Sequence, residues 1–242
     1  MMKRKTDFLL ISERFWKTVN DVIDYAVMLV MVLIILVGIY RSVDASYVFN
    51  HAALRMNTAF IPQQLTEVSE EIVTDDLVGW LNIENTAINY PVMQGETNSE
   101  YLNKDCYGNY SVAGSIFLDY RNDAFNDDYS LIYGHHMTEG YMFGALDEFY
   151  DEDYYNTHTQ GTLTVTDKKY HLEVFSLLEC EADNKMVFDF SDIPFLTSEL
   201  KTSSIRFTDP GRKKILALST CRDAYSDLRT VLFLTMEEMT DD

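Results

Sequence analysis

The sequence predicts a mainly β protein: an eight-stranded β-barrel with helices ahead of it and inserted into it, preceded by one transmembrane helix. Three observations support this fold class. One long apolar run lies near the N-terminus, eight short β-like runs follow residue 77, and two stretches between those runs have helical periodicity. We therefore expect an N-terminal segment at residues 1–21, a membrane anchor at 22–40, a helical extension and linker at 41–76, and the barrel at 77–242.

The predicted anchor is interrupted by a single charge, Asp24. At about 1.5 Å per helical residue, residues 22–40 reach roughly the thickness of the bilayer hydrocarbon. Five basic residues precede the anchor, whereas only Arg41 lies close behind it, so the positive-inside rule places the N-terminus in the cytoplasm. A cleaved signal peptide or a buried core helix fits less well, because the leading region is long and the run is apolar on every face. The expected location is the cell membrane, single-pass, with the barrel outside.

The segment from Tyr47 to Glu71 has apolar residues at steps of three and four, which predicts one or two helices interrupted at Pro62. From Leu77 the pattern changes to short β-like runs. These are VGWLNI, TAINYPVM, GSIFLDY, SLIYGHH, GTLTVTD, KYHLEVFSLLEC, KKILALSTC and LRTVLFLTM. Eight such runs indicate a closed or nearly closed β-barrel.

Two helical insertions interrupt the β pattern. The first covers about residues 141–150, and the second lies between Asp189 and Ser204, with Ser191 as its N-cap. Their apolar faces consist of Met142, Phe143, Leu146 and Phe149 in the first, and of Ile193, Phe195, Leu196 and Leu200 in the second. The second insertion lies in a long connection between strands, where a small barrel can build one wall of a binding groove.

The charge of the chain excludes several classes of partner. The net charge is −20, and residues 41–242 hold 14 basic and 35 acidic residues. Because a surface this acidic repels phosphate backbones and anionic headgroups, we expect no nucleic-acid partner. No cofactor and no metal are expected, because no cysteine pair has zinc-ligand spacing and no EF-hand spacing occurs.

The three cysteines, Cys106, Cys180 and Cys221, leave at least one thiol without an intramolecular partner. Cys106 and Cys180 can pair, or both can be small buried apolar residues. Cys221 ends the alternating run ALSTC, and alternation puts Ser219 on the same face of the strand. A nucleophile at the end of a strand is firmly held, so Cys221 is the candidate nucleophile.

A cation and a histidine complete this candidate site. Arg229 lies on the next β run, where its guanidinium can favour the thiolate and bind the oxyanion formed when a carbonyl is attacked. Arg222, directly after Cys221, is a rival for this role, because a bulge in the turn can change which base faces the sulfur. The run LIYGHHM delivers His135 and His136, and histidine can protonate a leaving amine near neutral pH. Together these residues predict an acyl-transfer site.

Two motifs resemble those of the sortase family. ALSTC is similar to the sortase TLxTC motif, with Ala217 in place of threonine, and YGHHM is similar to the class B form of the histidine motif. DLVGWLNI, TAINYPVMQ, GSIFLDYRN and MFGAL also resemble successive blocks of a class B catalytic domain. The resemblance covers about residues 47–240 and implies a sortase-type barrel and a cysteine transpeptidase of a Gram-positive bacterium.

The resemblance also implies residue roles. Cys221 would attack a carbonyl in the C-terminal sorting signal of a secreted protein and form a thioester, His135 would act as acid and then as base, and Arg229 would hold the substrate and its oxyanion. His136 is the weaker histidine candidate. The implied substrate-binding residues are Asn98, Leu102, Tyr133, Ser219 and Thr220. One departure from the family is that only eight positions separate Cys221 from Arg229, fewer than the family pattern leads us to expect.

The acceptor remains open at this point. An amine of a peptidoglycan precursor would attach surface proteins to the cell wall, and a pilin lysine amine would polymerise pilus subunits. A noncatalytic, membrane-tethered binding module is a third interpretation, and the complete set of cysteine, histidine and arginine opposes it. A papain-like protease is disfavoured, because its cysteine lies on a helix, whereas Cys221 ends a predicted strand.

Overall fold

The computed structural model describes residues 2–53, 76–137, 140–189, 193–221 and 227–239. The strands are β1 (Leu77–Ile83), β2 (Asn89–Met93), β3 (Ile116–Leu118), β4 (Tyr129–Tyr133), β5 (Gln160–Thr164), β6 (Lys169–Glu181), β7 (Arg206–Phe207), β8 (Lys214–Cys221) and β9 (Leu228–Glu238). The α-helices are α1 (Met2–Ala53), α2 (Glu152–Thr157), α3 (Lys185–Phe188) and α4 (Ile193–Ser203), and 3-10 helices cover Glu100–Leu102 and Phe143–Tyr150.

Eight of the strands form a closed barrel, which confirms the predicted fold class. Around the barrel they follow the order β1-β2-β3-β4-β8-β9-β6-β5, and pairing of β5 with β1 closes the circle. The ninth strand, β7, has two residues and pairs with β6 beside the barrel. It was not predicted, because two residues are too few to show alternation.

Two parallel strand pairs determine where the long connections run. β2 pairs parallel with β3, and β4 pairs parallel with β8, whereas the other pairs are antiparallel. Parallel neighbours cannot be joined by a tight hairpin, so the chain must cross from one end of the barrel to the other between them. The crossover between β2 and β3 occupies residues 94–115, and the chain from β4 to β8 passes through β5, β6 and β7 and the helices α2, α3 and α4.

Alternation along β8 and β9 separates two hydrophobic clusters. The even-numbered residues Leu216, Leu218, Leu232 and Leu234 belong to the cluster that fills the barrel. The odd-numbered residues Ile215, Ala217, Val231 and Phe233 belong to a second cluster, on the outer face, which α3 and α4 cover. This agrees with the alternation predicted for the ALSTC run. Each strand is therefore anchored on both faces, and its end is held in place.

The first predicted helical insertion is a 3-10 helix. Phe143, Leu146 and Phe149 are fully buried and recur every three residues, the repeat that brings 3-10 side chains into line. The neighbouring Gly144 is packed so closely that a Cβ there would overlap the carbonyl oxygen of Met137. This helix therefore packs tightly against the end of β4, where the chain turns away from the barrel.

The second predicted insertion is α4, and one of its expected packing residues is wrong; the short helix α3 lies ahead of the predicted bounds and was not predicted. Leu196 and Leu200 are buried against the outer cluster, and Ile193 packs at its edge. Phe195 is 53% exposed, because it follows Pro194 on the side of the helix that turns away from the strands. Ser191, the predicted cap, lies outside the described residues.

Helix α1 contains the predicted anchor and extends beyond it. Its segment Trp16–Asp44 is long and apolar enough to cross a membrane, which is compatible with a single-pass anchor. The helix does not end near residue 40 but continues to Ala53. The rest of the predicted helical extension, including Pro62, lies outside the described residues.

The question of a disulfide between Cys106 and Cys180 is decided by their positions. Cys180 is a free thiol in the outer cluster beside α3 and α4. Cys106 is buried in another cluster, with Met93, Tyr101 and Phe117. The two residues are therefore buried apolar cysteines and are not paired with each other.

Candidate active site

Three neighbouring strands, β4, β8 and β9, each have one terminus at the same edge of the barrel. β4 and β8 run parallel, with Tyr133 opposite Ser219, and the antiparallel β9 begins where β8 ends. The last pair of β8 and β9 joins Cys221 to Arg229. Directly opposed residues have Cα atoms about 5 Å apart, so this cysteine and this arginine are immediate backbone neighbours.

The backbone of His135 is held at the same level as the end of β8. The N–H of Gly134 donates to the carbonyl of Ser219 at 3.1 Å, which extends the pairing of β4 and β8 by one residue. The carbonyl of His135 accepts from the N–H of Phe143 at 3.1 Å. As His135 is two residues beyond Tyr133 and Cys221 is two beyond Ser219, the register brings histidine and cysteine to one level.

The imidazole of His135 has one well-defined partner. Its Nε2 lies 2.7 Å from the carbonyl oxygen of Leu102, in the crossover between β2 and β3. A carbonyl can only accept, so Nε2 carries the hydrogen and donates it. In the neutral ring Nδ1 then holds the acceptor lone pair. His136 instead forms a hydrogen bond with Asp147, its Nε2 lying 2.8 Å from Oδ2.

A cavity of about 360 Å³ opens beside these residues. Its lining contains seven residues that the sequence analysis selected: Asn98, Leu102, Tyr133, His135, Ser219, Thr220 and Arg229. The side chain of Cys221 and the whole of Arg222 lie outside the described residues. The structure thus brings one imidazole, one guanidinium and the predicted groove residues around one space, at the end of the strand that carries the cysteine.

Four further residues line the cavity and were not selected: Phe117, Gly134, Ala182 and Phe188. Tyr133 lies between two of them, with ring centroids 5.4 Å from Phe117 and 6.4 Å from Phe188. Ala182 and Phe188 come from the connection that begins after β6, which agrees with the prediction that this connection builds one groove wall. These residues were missed because the sequence does not show whether an apolar residue on a loop lines a groove or packs in the core.

Arg229 is half-buried between two cysteines. On β9 it is opposite Cys221 of β8 on one side and opposite Cys180 of β6 on the other. Burial raises the pKa of Cys180 to about 11, although the guanidinium of Arg229 opposes this shift. Cys180 therefore remains a neutral thiol at physiological pH, and the charge of Arg229 is not neutralised from that side.

The hydroxyl groups next to the nucleophile position are buried. Ser219 Oγ and Thr220 Oγ1 have no hydrogen-bond partner among the described residues. A buried hydroxyl that borders a cavity and lacks a partner can be satisfied by a bound ligand or water. Ser219 follows Ile215 and Ala217 on the outer face, whereas Thr220 follows Leu216 and Leu218 on the inner face.

A polar cluster centred on the buried Asp119 supports the groove side chains. Asp119 Oδ2 accepts hydrogen bonds from Asn98 Nδ2 at 2.8 Å, from Tyr133 Oη at 3.0 Å and from Arg121 Nη2 at 2.8 Å. The sequence analysis did not select Asp119 or Arg121. Their signal in the sequence is weak: an acidic residue near the end of the predicted run GSIFLDY and a basic residue directly after that run.

A larger cavity, of about 740 Å³, lies at the opposite end of β8, beside α4 and Lys214. Its described lining contains no cysteine or histidine, although basic side chains line part of it. The smaller cavity, by contrast, is lined by an imidazole and a guanidinium, two of the groups predicted for acyl transfer.

Gly134 determines how closely the histidine segment packs. A Cβ built on it would lie 2.7 Å from a ring carbon of Phe143, closer than real contacts allow. We expect Gly134→Ala to lower kcat about tenfold, because small displacements of a catalytic group are costly. The strain should also destabilise the fold by about 1–3 kcal/mol. Kinetic assays and thermal melting would measure both effects, and the smaller side chain in Gly134→Ala/Phe143→Leu should restore part of each. Wild-type kcat and melting temperature in Gly134→Ala would contradict this account.

Comparison with known proteins identifies relatives of one family. The Sortase domain family model matches residues 81–237. Sortase B of Staphylococcus aureus (strain NCTC 8325 / PS 47) is 36% identical over 167 residues, which cover 66% of this chain and 68% of that protein. Sortase B of Listeria monocytogenes serovar 1/2a (strain ATCC BAA-679 / EGD-e) is 31% identical over 189 residues, 74% of this chain and 75% of that protein.

Solved structures of class B sortases share the fold. A Streptococcus pyogenes class B sortase involved in pilus biogenesis has a TM-score of 0.63 and 35% identity, covering 68% of this chain and 94% of that chain. A Staphylococcus aureus sortase B–substrate complex has a TM-score of 0.64 and 33% identity, covering 70% of this chain and 83% of that chain.

Proposed function

This chain belongs to the sortase family of cysteine transpeptidases, and on that premise we propose that Cys221, His135 and Arg229 carry out its reaction and that it attaches secreted proteins to the cell wall. The observation that supports these roles best is the register at the strand ends. Cys221 is paired with Arg229, and His135 lies at the same level on the other side of β8. His135 and Arg229 line one groove, large enough for part of a peptide, at the end of the strand that carries Cys221.

In the first half-reaction the thiolate of Cys221 attacks a backbone carbonyl carbon of the sorting signal. The carbonyl oxygen becomes an oxyanion, which the guanidinium of Arg229 stabilises with fixed N–H donors. The C–N bond then breaks, the leaving amine takes a proton from His135, and the acyl group remains on sulfur as a thioester. The same guanidinium favours the thiolate over the thiol before attack.

The second half-reaction reverses the proton transfer. His135, now neutral, accepts a proton from the incoming amine as its nitrogen attacks the thioester carbonyl, and the C–S bond breaks to release Cys221. Since Nε2 donates to the carbonyl of Leu102, Nδ1 is the nitrogen available for both transfers. The backbone bond thus orients the ring as well as selecting its tautomer.

The groove side chains bind the peptide in this proposal. Asn98, Leu102 and Tyr133 form one part of the lining, and the buried hydroxyl of Ser219 faces substrate beside the nucleophile. Thr220 borders the same cavity from the neighbouring position of β8. The donors are secreted proteins with a C-terminal sorting signal. We place the N-terminus of α1 in the cytoplasm and the barrel outside the membrane, since the substrates are exported and the basic residues lie ahead of the apolar segment.

A pilin lysine amine is the alternative acceptor. The specific observation that favours it is the 35% identity to a Streptococcus pyogenes class B sortase involved in pilus biogenesis. The acidity of residues 41–242 would also suit a basic acceptor protein. Wall attachment uses a peptidoglycan-precursor amine instead, and the same catalytic residues serve both reactions.

Mass spectrometry of reaction products can separate these functions. The full-length protein in detergent would be incubated with a panel of sorting-signal peptides and with two amines, a peptidoglycan cross-bridge peptide and a lysine-containing pilin fragment. We expect an acyl-amine product with the cross-bridge peptide that is absent with Cys221→Ala. A product with the pilin fragment alone would support pilus assembly. Failure to cleave every donor peptide would contradict the proposed substrate class.

A further inference from the structure

We propose that Asp119 is a positioning residue for substrate binding. Its buried carboxylate orients Asn98 so that the amide presents an N–H donor to a carbonyl oxygen of the bound peptide. The same carboxylate accepts the phenol proton of Tyr133, which is then not available to the peptide. This inference deepens the proposed function and rests on it, because the peptide is the donor substrate of the same groove. Asp119 itself is absent from the groove lining and acts through the two side chains.

The carboxylate of Asp119 is surrounded by donors. The residue is 0% exposed and follows β3 directly. Its Oδ1 accepts from the backbone N–H of Arg121 at 2.9 Å and from Arg121 Nε at 2.8 Å, while Oδ2 accepts from Arg121, Asn98 and Tyr133. Charge-assisted and bidentate bonds of this kind are the strong ones, and they give the cluster a defined geometry.

The charge state of Asp119 determines the direction of each of its hydrogen bonds. Burial opposes its ionisation, yet the hydrogen bonds from Arg121 and Asn98 hold the pKa of this carboxyl below its usual value. An ionised carboxylate has no hydrogen and can only accept. Every partner of Asp119 must therefore direct a hydrogen toward it.

The orientation of the Asn98 amide follows from its two partners. Its Oδ1 accepts from the backbone N–H of Tyr120 at 3.0 Å, and its Nδ2 donates to Asp119 at 2.8 Å. The amide cannot be flipped, because a backbone N–H cannot accept and a carboxylate cannot donate. The second hydrogen of Nδ2 has no acceptor among the described residues, and Asn98 lines the cavity. The amide thus has one N–H left to donate to the groove, while its oxygen already accepts from Tyr120.

Tyr133 is constrained in the same way. Its hydroxyl donates to Asp119 Oδ2 at 3.0 Å, and burial together with the negative charge of Asp119 raises the pKa of this phenol, so that it stays protonated. Its single hydrogen is therefore committed to Asp119, and it cannot donate to a substrate at the same time. The ring still packs between Phe117 and Phe188 as part of the groove wall.

The ligand complementary to this arrangement is a carbonyl oxygen of a peptide bond or of a carboxamide side chain. If Asp119 were neutral and able to donate a hydrogen bond, Asn98 and Tyr133 could reorient. The groove would then no longer prefer a ligand group that accepts a hydrogen bond. One buried charge thereby defines the hydrogen-bonding character of two groove side chains that lie 35 positions apart in the sequence.

The test is the isosteric change Asp119→Asn in the full-length protein, with peptide cleavage measured at varied donor concentration. We expect KM for the donor peptide to rise about tenfold, the effect of one good hydrogen bond, with kcat within about twofold of wild type. The matched control is Asp105→Asn. Asp105 is also buried and accepts from the backbone N–H groups of Tyr107 and Asn109, but it lies outside the groove lining. Its KM should be unchanged.

A double-mutant cycle separates positioning from general stability. In an Asn98→Ala/Tyr133→Phe background, Asp119→Asn should change KM by less than about twofold, because the side chains through which it acts are gone. An equal rise in both backgrounds, an unchanged KM, or a fall confined to kcat would overturn the proposal. If Asp119→Asn does not fold, Arg121→Lys tests the same point, since it keeps the charge and loses the two-point contact. It should raise KM about threefold in the wild-type background only.

Peptide binding to Cys221→Ala, measured by calorimetry, makes the two proposals independently testable. Wild-type cleavage combined with identical peptide affinity in Cys221→Ala and in Cys221→Ala/Asp119→Asn would overturn the role of Asp119 and leave the proposed function standing. Absence of both cleavage by wild type and binding by Cys221→Ala would contradict the proposed function and this inference with it.

Discussion

Cys221→Ala is expected to abolish transpeptidation, with kcat/KM falling by at least about 10⁴-fold, because no thioester can form without the sulfur. The rate of peptide cleavage and the mass of the acyl-enzyme both report this loss. The matched control is Cys106→Ala, which removes a buried thiol that packs against Met93 and Tyr101 and does not line the groove. It should retain near-wild-type activity. Equal cleavage by Cys221→Ala and wild type would leave that thiol without a catalytic role.

Alkylation gives the same result by an independent route. A thiol reagent near neutral pH attacks the thiolate, so it should label Cys221 beside the guanidinium of Arg229. Cys180 should remain unlabelled, because burial raises its pKa to about 11. At such a pKa only about one in 10⁴ Cys180 thiols is ionised near neutral pH. Activity that survives confirmed modification of Cys221 would contradict the assignment.

Arg229→Ala is expected to lower kcat/KM by about 10²–10³-fold, the usual cost of losing one oxyanion donor. Arg229→Lys should recover part of this loss, since lysine keeps the charge but lacks the planar fork of donors. The comparison variant is Arg222→Ala, which tests the rival cation named from the sequence and should change kcat/KM by less than about fivefold. This expectation follows from the backbone pairing of Arg229 with Cys221.

The opposite ranking of the two arginines would show that the turn after β8 brings Arg222 to the sulfur. The pH profile adds a second criterion, because loss of the cation that favours the thiolate should shift the lower limb of the kcat/KM profile to higher pH. We expect that shift in Arg229→Ala and not in Arg222→Ala. The assay needs only the donor peptide and the purified full-length variants.

Most of the barrel could be predicted from local pattern. Each of the eight barrel strands lies within a short β-like run that could be recognised, and in β8 the even and odd positions separate into two clusters. β7 could not be recognised at two residues, and the exposure of Phe195 could not be foreseen, since periodicity does not say how wide the buried face of α4 is. The predicted anchor was bounded at residue 40 by its apolar composition, whereas α1 continues to Ala53, because the change to polar composition marks the end of the apolar segment and not of the helix.

The groove could be predicted only in part. Asn98, Leu102 and Tyr133 were selected by resemblance to a family, and the structure places all three around one cavity with His135 and Arg229. Their catalytic and binding roles remain predictions that the variants above would test. Asp119 was missed, because an acidic residue near the end of a β run has the same pattern whether it is solvated or completely buried.

The sequence by itself determined the strand pattern, the apolar N-terminal segment and the types of reactive residue, since each depends on residues close together along the chain. Only the tertiary structure decided which of them meet. Parallel pairing of β4 with β8 and antiparallel pairing of β8 with β9 bring residues separated by more than 80 positions to one edge. That arrangement depends on strand register and burial, which arise from contacts between distant segments and leave no local signal in the sequence.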